Sequence, residues 1–266
     1  MAFIVDSEHL GTSAEEWASS EFFGSTPLVD LARVPRVVVV APHPDDEVLG
    51  AGGLLQGLCS DGAEAVVVAV TDGEMSHPNS DLAEKVDMRS IREKESRVAL
   101  RRLGLGDPSF VRLRIPDGRV THHLELLEAE LENLLEPTDL CLAPWANEGH
   151  PDHDACGAAA SSASNTKRSA LLNYLVWTLH WATPAGDDLP WASCRRYELS
   201  ARELSRKRRA TLAFRSQTRP LGRSDTGSPV LPLAVLRRHW LGNELFIDPG
   251  ELRLHRHETA HEEEPV

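Results

Sequence analysis

The chain has 266 residues, 41% of them hydrophobic and 26% charged, with a formal net charge of −13. It is long enough to bury a full α/β core, and its acidity argues against nucleic acid as a partner. No apolar run approaches the roughly 18 residues of a membrane span, and MAFIVDSEHLGTS lacks a basic segment followed by an apolar one, so no transmembrane segment and a cytoplasmic location are expected. Cys59, Cys141, Cys156 and Cys194 lie far apart without a C-x-x-C pair. That spacing excludes a zinc ribbon or a disulfide scaffold and reads as buried, inert thiols.

Residues 1–35 show no sustained period and are expected to form an extension that packs on the core. From Arg36 to Gly53 the chain reads RVVVVAPHPDDEVLGAGG. Four consecutive valines predict a strand buried on both faces, as in a parallel sheet. The cluster His43-Pro44-Asp45-Asp46-Glu47 then falls at the strand's carboxyl end, where open α/β sheets place ligand sites. One imidazole and three carboxylates within five residues repel one another unless something positive sits among them, and a divalent metal meets that need. Glu47 also suits a helix start, by complementing the macrodipole.

Beyond this turn, residues 48–58 predict a Gly-rich helix pressed on a sheet, and residues 63–70 a second buried strand ending in Thr71-Asp72-Gly73-Glu74. Residues 76–80 read as loop, and residues 87–104 as an amphipathic helix closed by glycine. Residues 110–115 alternate as a strand that stops at Pro116-Asp117-Gly118. Residues 121–135 carry a leucine stripe at helical spacing. Residues 139–143 form a third buried strand, running into Pro144-Trp145-Ala146-Asn147-Glu148-Gly149 and then His150-Pro151-Asp152-His153, with Pro151 suited to open a helix. The alternation gives the expected class: α/β, a Rossmann-like mostly parallel sheet with flanking helices and the active site at strand carboxyl ends. Further on, residues 171–183 predict a strand holding His180 as a core or pocket histidine. Residues 200–217 predict a helix whose solvated face holds the basic cluster Arg202 to Arg209, residues 221–229 a loop, and residues 230–247 a partly helical segment. A domain over 36–250 is followed by an acidic tail over 251–266, expected to be disordered.

His43 and Asp46 stand three apart, as do His150 and His153, a spacing that puts both members of each pair on one side of a helix start or tight turn. Each pair follows a buried strand at the same end of the sheet, so the two can converge on one ion. Two histidines and a carboxylate make an open three-ligand zinc site, able to bring the pKa of bound water towards about 7. Four protein ligands would close it. The residues alone leave His150 open between fourth ligand and general acid.

APHPDDEVLGAGG, TDGE, Arg92-x-x-Glu95 followed by Leu103-Gly104, IPDG and GHPDHDACG resemble, in order, the motifs of the PIG-L/LmbE family of zinc-dependent N-acetylglucosamine deacetylases. KRRATLAFRSQ is similar to that family's later Lys and Ser-Gln helix. The resemblance spans residues 36–220. It implies a zinc ion, or another divalent metal, held by His43, Asp46 and His153, with Asp45 as general base. It further implies that His150 protonates the leaving amine, with Asp152 orienting it, and that the partner is a small N-acetylated amino sugar. Arg92 stands where the family places an arginine near the sugar. Asp72 and Asn147, on loops at the same end, are candidate contacts to sugar hydroxyls, and Trp145, Trp177, Trp181 and Trp191 offer faces for stacking. The same residues suit an amidase of a glucosaminyl thiol conjugate or a tailoring deacetylase of a glycosylated natural product. A Rossmann-like nucleotide-binding module is the non-enzymatic rival, and the absence of G-x-G-x-x-G after the first strand weighs against it. A homo-oligomer is compatible with the sequence, which does not fix the oligomeric state.

Overall fold

The computed structural model describes residues 11–31, 33–77, 87–184, 186–221 and 229–250. Its elements begin with α1 (Ala14–Ser19), α2 (Phe22–Ser25), β1 (Arg36–Ala41), α3 (Asp46–Ser60), β2 (Glu64–Ala69), α4 (Met88–Leu103) and β3 (Ser109–Arg112). A 3-10 turn (Val120–His123) leads into α5 (Leu124–Leu134), followed by β4 (Asp139–Pro144), α6 (Pro151–Lys167), β5 (Ala170–Tyr174) and α7 (Thr178–Trp181). A second 3-10 turn (Trp191–Ser193) precedes β6 (Cys194–Glu198), α8 (Ala201–Thr211), α9 (Arg215–Thr218), α10 (Leu233–His239) and β7 (Asn243–Ile247).

The strands form one seven-stranded sheet in the order β3-β2-β1-β4-β5-β7-β6. From β3 to β5 all pairings are parallel, and β7 runs antiparallel to both β5 and β6. The expected mostly parallel α/β sheet is therefore what forms. Side chains on a strand alternate faces, and the valine run divides accordingly. Val37 and Val39 enter a core with α3 and with Leu100 and Leu103 of α4, while Val38 and Val40 enter a second core with Leu127 and Leu131 of α5 and the alanines of α6. All four valines are fully buried, which is why the run has no polar alternation.

The chain winds outward from β1 through β2 to β3, then returns to lay β4 on the other side of β1. This reversal opens a crevice at the carboxyl ends of β1 and β4. At the opposite end of the same two strands, Arg36 clamps Asp139 through Nε at 2.8 Å and Nη2 at 2.6 Å, in the register where the two residues pair. α6 starts with Pro151 in its first turn. Gly157 lets the helix approach the end of β4: a Cβ there would lie 2.6 Å from the Pro144 carbonyl oxygen and 2.7 Å from the Ala146 nitrogen. That contact carries the first turn of α6 into the crevice.

Several expectations change. Residues 171–183 are not one strand: β5 ends at Tyr174, and His180 lies in the short helix α7. The break is made by Glu148, a residue distant in sequence, whose carboxylate accepts from the backbone N–H groups of Val176, Trp177 and Thr178. The helix expected over 200–217 stops at Thr211 and resumes at Arg215, because Ser216 is drawn to Glu95. The helix expected from Thr121 opens as a 3-10 turn, where Asp152 accepts from the N–H groups of Gly118 and Val120. The strand over 110–115 is shorter, spanning Ser109–Arg112. Residues 230–247 divide into α10 and β7, and β6 was not anticipated.

Ahead of β1, Ser13 and Glu16 form a capping box on α1. Trp17 is fully buried, its Nε1 donating to the Leu179 carbonyl at 2.9 Å. Among the described residues no helix is long and apolar enough to cross a membrane. The acidic tail over 251–266 lies outside the described residues, as do residues 78–80 and 222–228 of the expected loops.

Candidate functional site

The turn after β1 is tied by the Asp46 carboxylate, whose Oδ2 accepts from the His43 N–H at 2.9 Å. Asp45 precedes the first residue of α3 with φ 134° and ψ −26°, a conformation that L side chains rarely adopt. Arg92 of α4 holds it there. Its Nη2 donates to the Pro44 carbonyl at 2.6 Å and to Asp45 Oδ2 at 3.1 Å, and its Nη1 to the Gly73 carbonyl at 2.9 Å. Gly73, at φ +65°, leaves the room this needs, since a Cβ there would overlap the guanidinium. Arg92 is thus no exposed helix arginine: it is 3% exposed and pinned behind Asp45.

His43 reaches two ways. Its Nδ1 lies 3.2 Å from Asp46 Oδ2, and its Nε2 lies 3.2 Å from Asp117 Oδ1 and 3.4 Å from Asp152 Oδ2. His153, delivered by the first turn of α6, is fully buried. Its Nε2 lies 3.2 Å from Asp46 Oδ2 and its Nδ1 3.4 Å from Glu148 Oε2, and neither nitrogen makes a hydrogen bond. His150 sits at the N-cap of α6, its Nδ1 accepting from the Asp152 N–H at 3.3 Å. Its ring lies 5.1 Å from that of His43 and 4.9 Å from that of His153, and Trp177 stacks on it at 6.3 Å and 14°.

One donor atom from each of His43, Asp46 and His153 fall within 4.8 Å of one another, and the same holds for His43, Asp117 and Asp152. The first set fits a divalent metal. It offers two imidazole nitrogens and a carboxylate, and the buried Nε2 of His153 makes no hydrogen bond, its neighbouring Asp46 Oδ2 being a member of the same set. In the second set, Asp117 and Asp152 face the far nitrogen of His43, as carboxylates do that orient a ligating imidazole.

The protein's own charges point the same way. Burial opposes the charge on His153, yet Asp46 lifts its pKa to about 9. His43, against a similar burial cost, is raised well above its ordinary value by Asp117, Asp152 and Asp46. Burial disfavours the Asp46 carboxylate, and His153 and His43 still hold it well below the usual range. Asp117 is likewise drawn down to about 2, His43 overcoming its burial. Asp45 is pushed up to about 7 by burial, against the pull of Arg92. Glu47, buried and beside Asp45, is pushed up to about 8. His150 falls to about 3, through burial and then the charges of His153 and His43. These carboxylates call for positive charge, which a divalent ion supplies in place of protons on the imidazoles.

His43, Asp45, Asp46, His150, Asp152 and His153 therefore come together, with Arg92 behind them. Asp152 departs from its expected place: its carboxylate turns to His43 and to the Gly118 and Val120 N–H groups, at 2.7 and 3.1 Å, and touches His150 only through its backbone N–H. Asp72 is engaged by Arg112, from Nε at 3.0 Å and Nη2 at 2.6 Å, and Asn147 is exposed on the loop before Glu148. Sequence reasoning missed Asp117 and Glu148 as site residues. Asp117 was visible only as a turn in IPDG, and Glu148 only as one letter before GHPDH. The Ser-Gln segment is tied to this end of the sheet: Ser216 donates to Glu95 through its N–H and Oγ, and Gln217 Nε2 donates to Ser76 Oγ at 3.3 Å.

Residues 38–164 match the family model described as PIG-L: GlcNAc-PI de-N-acetylase, a span that holds every residue of the histidine and carboxylate cluster. Residues 38–164 are the part of the chain that is similar to this family. Over 130 residues it is 28% identical to the diacetylchitobiose deacetylase of Thermococcus kodakarensis, covering 47% of each protein. The chain spans about half the length of the curated relatives it matches. Among solved structures, the conserved protein TT1542 from Thermus thermophilus matches with a TM-score of 0.55 and 27% identity, over 81% of this chain and 94% of that one. The zinc inhibited form of teicoplanin deacetylase Orf2 matches with a TM-score of 0.56 over 72% of this chain and 88% of that one; at 19% identity the likeness is one of fold. The PIG-L match ends within α6, so β5 to β7 and the helices among them lie beyond it.

Proposed function

We propose that the chain is a zinc-dependent hydrolase that removes the acetyl group from an N-acetylglucosaminyl-type small molecule. The observation that carries this reading is the convergence of His43, Asp46 and His153 on one point of the β1–β4 crevice, with Asp45 buried beside them. The family description and the deacetylase among the relatives support the bond and the substrate class.

His43, Asp46 and His153 would hold the ion, which would supply Lewis acidity to the amide carbonyl and lower the pKa of a water, so that the water could give up a proton near neutrality. Asp45 takes that proton. Its carboxylate is buried beside the proposed ligands, where a general base must stand. Arg92 fixes it in the orientation that proton transfer needs. Asp117 and Asp152 hold the far nitrogen of His43, keeping its other nitrogen turned to Asp46. When the C–N bond breaks, the amine needs a proton, and His150 is the group assigned to deliver it. Trp177, stacked on His150, walls this side of the crevice and offers a flat apolar face to a sugar ring. The cytoplasm is the proposed compartment, supported by four cysteines that form no disulfide.

The test is mass spectrometry of a panel of N-acetylated acceptors incubated with the zinc-loaded protein. The panel holds diacetylchitobiose, a glucosaminyl thiol conjugate and a glycosylated natural product. The reading expects loss of acetyl with release of acetate from at least one N-acetylglucosaminyl member. A metal-loaded protein that leaves all such members intact contradicts it, and cleavage of the thiol conjugate alone moves the assignment to an amidase.

A further inference from the structure

Glu148 is fully buried in the loop between β4 and α6, and its carboxylate works in two directions. On one side Oε2 accepts from the N–H groups of Val176 at 3.0 Å and Trp177 at 2.7 Å, while Oε1 accepts from the N–H and the hydroxyl of Thr178. These four donors turn the chain out of β5 and into α7. On the other side Oε2 stands 3.4 Å from Nδ1 of His153. The Trp181 indole donates to the Glu148 carbonyl at 2.8 Å, fastening the loop to α7 a second time.

The segment held this way carries Trp177, whose ring lies on His150. The imidazole held this way carries Nε2, which faces Asp46. The geometry points to Glu148 as a positioning residue that couples metal binding to the aromatic wall of the crevice: one carboxylate both orients His153 and fixes the turn that sets Trp177 on His150. The Glu148 carboxylate, 3.4 Å from Nδ1, favours the tautomer protonated there, which leaves the lone pair of His153 on Nε2, towards Asp46. Because the two oxygens belong to one rigid carboxylate, a shift in the Val176–Thr178 turn moves the group that His153 leans on. The inference rests on the reading of His153 as a metal ligand.

A cap with no other task would stabilise the turn and leave the metal alone. Thr178→Ala separates the two cases, since Thr178 bonds to Oε1 of Glu148 and forms no hydrogen bond or ion pair with His153 or Asp46. Zinc affinity is measured by competition with a chromophoric chelator on wild type, Glu148→Gln and Thr178→Ala, with far-UV circular dichroism reporting folding. Coupling predicts about 10- to 100-fold weaker zinc binding in Glu148→Gln, the range for loss of a group that orients a ligand, and a smaller but measurable weakening in Thr178→Ala. In wild type, zinc should also change a tryptophan emission component that Trp177→Phe removes. Wild-type zinc affinity in folded Thr178→Ala overturns the coupling. If Glu148→Gln does not fold, Thr178→Ala and Trp177→Phe still decide it. A wild-type protein that binds no zinc contradicts the proposed function itself, whereas unchanged affinity in the variants contradicts only this inference.

Discussion

Lys207 of α8 is 1% exposed, and its Nζ donates at 2.6 Å to Glu244 of β7. The same carboxylate accepts from the N–H groups of Gly53 at 2.5 Å and Leu54 at 2.9 Å. Charge there meets charge, and the network is closed. In the β1–β4 crevice, as deeply buried, His153 has two unbonded nitrogens, Glu47 has an unbonded Oε1, and the carboxylates of Asp45, Asp46, Asp117, Asp152 and Glu148 crowd around one arginine and three imidazoles. Partly satisfied buried polar networks are costly. The first network is complete as folded and acts as scaffold, whereas the second leaves buried groups that the proposed cation would satisfy.

This contrast gives graded expectations. The largest effect belongs to the open network: Asp45→Asn should lower turnover in the proposed deacetylation by about 100- to 10,000-fold, the usual range for loss of a general base, while metal content and urea stability hold. Asn has the shape of Asp and keeps the backbone demand at φ 134° unchanged, so a large loss of stability in this variant would assign Asp45 to scaffold. In the closed network, Lys207→Met leaves Glu244 buried without its cation and should cost about 3–5 kcal/mol in urea unfolding. A loss below about 1 kcal/mol, within the range of exposed pairs, would erase the distinction.

A third effect depends on pH. His239 of α10 is buried beside this closed pair, and its imidazole is pushed down to about 3, by burial and then by the charges of Lys207 and Arg238. In the unfolded chain it titrates near about 6.5. Between these values the unfolded chain holds a proton that the folded chain lacks, so stability falls as pH drops below about 6.5, by up to about 1.4 kcal/mol per pH unit from this one group. Urea midpoints of wild type and His239→Gln across mildly acidic pH check the sign, and the difference between the two cancels the acid sensitivity of the crevice. The smallest effect is local: Ser200 caps α8 in a capping box with Glu203, and Ser200→Ala should cost about 1 kcal/mol with no change in metal affinity.

The sheet up to β4 was legible because parallel strands buried on both faces leave uninterrupted apolar runs, as in residues 37–40, and because the helices between them end on local signals such as Gly104. The two histidine motifs were legible because their members lie within one turn of each other. What escaped is non-local. The end of β5 is set by Glu148 from 28 to 30 positions away, so LLNYLVWTLHWAT reads as one strand in isolation. β6, with the sequence CRRYE, is only partly buried and shows no clean alternation. Arg92 gave no sign that it would be buried behind Asp45, since its partners Pro44 and Asp45 lie 48 and 47 positions upstream. Asp152 sits beside His150 in sequence, but the 3-10 turn after β3 and the ring of His43 claim its carboxylate.

Metal content shows whether the crevice receives an ion. Elemental analysis of purified wild type, Asp46→Ala and His153→Ala, each shown to be folded by circular dichroism, should find about one tightly held divalent ion in wild type and little in either variant. A wild type without a stoichiometric ion, or two folded variants that retain it in full, would contradict the account.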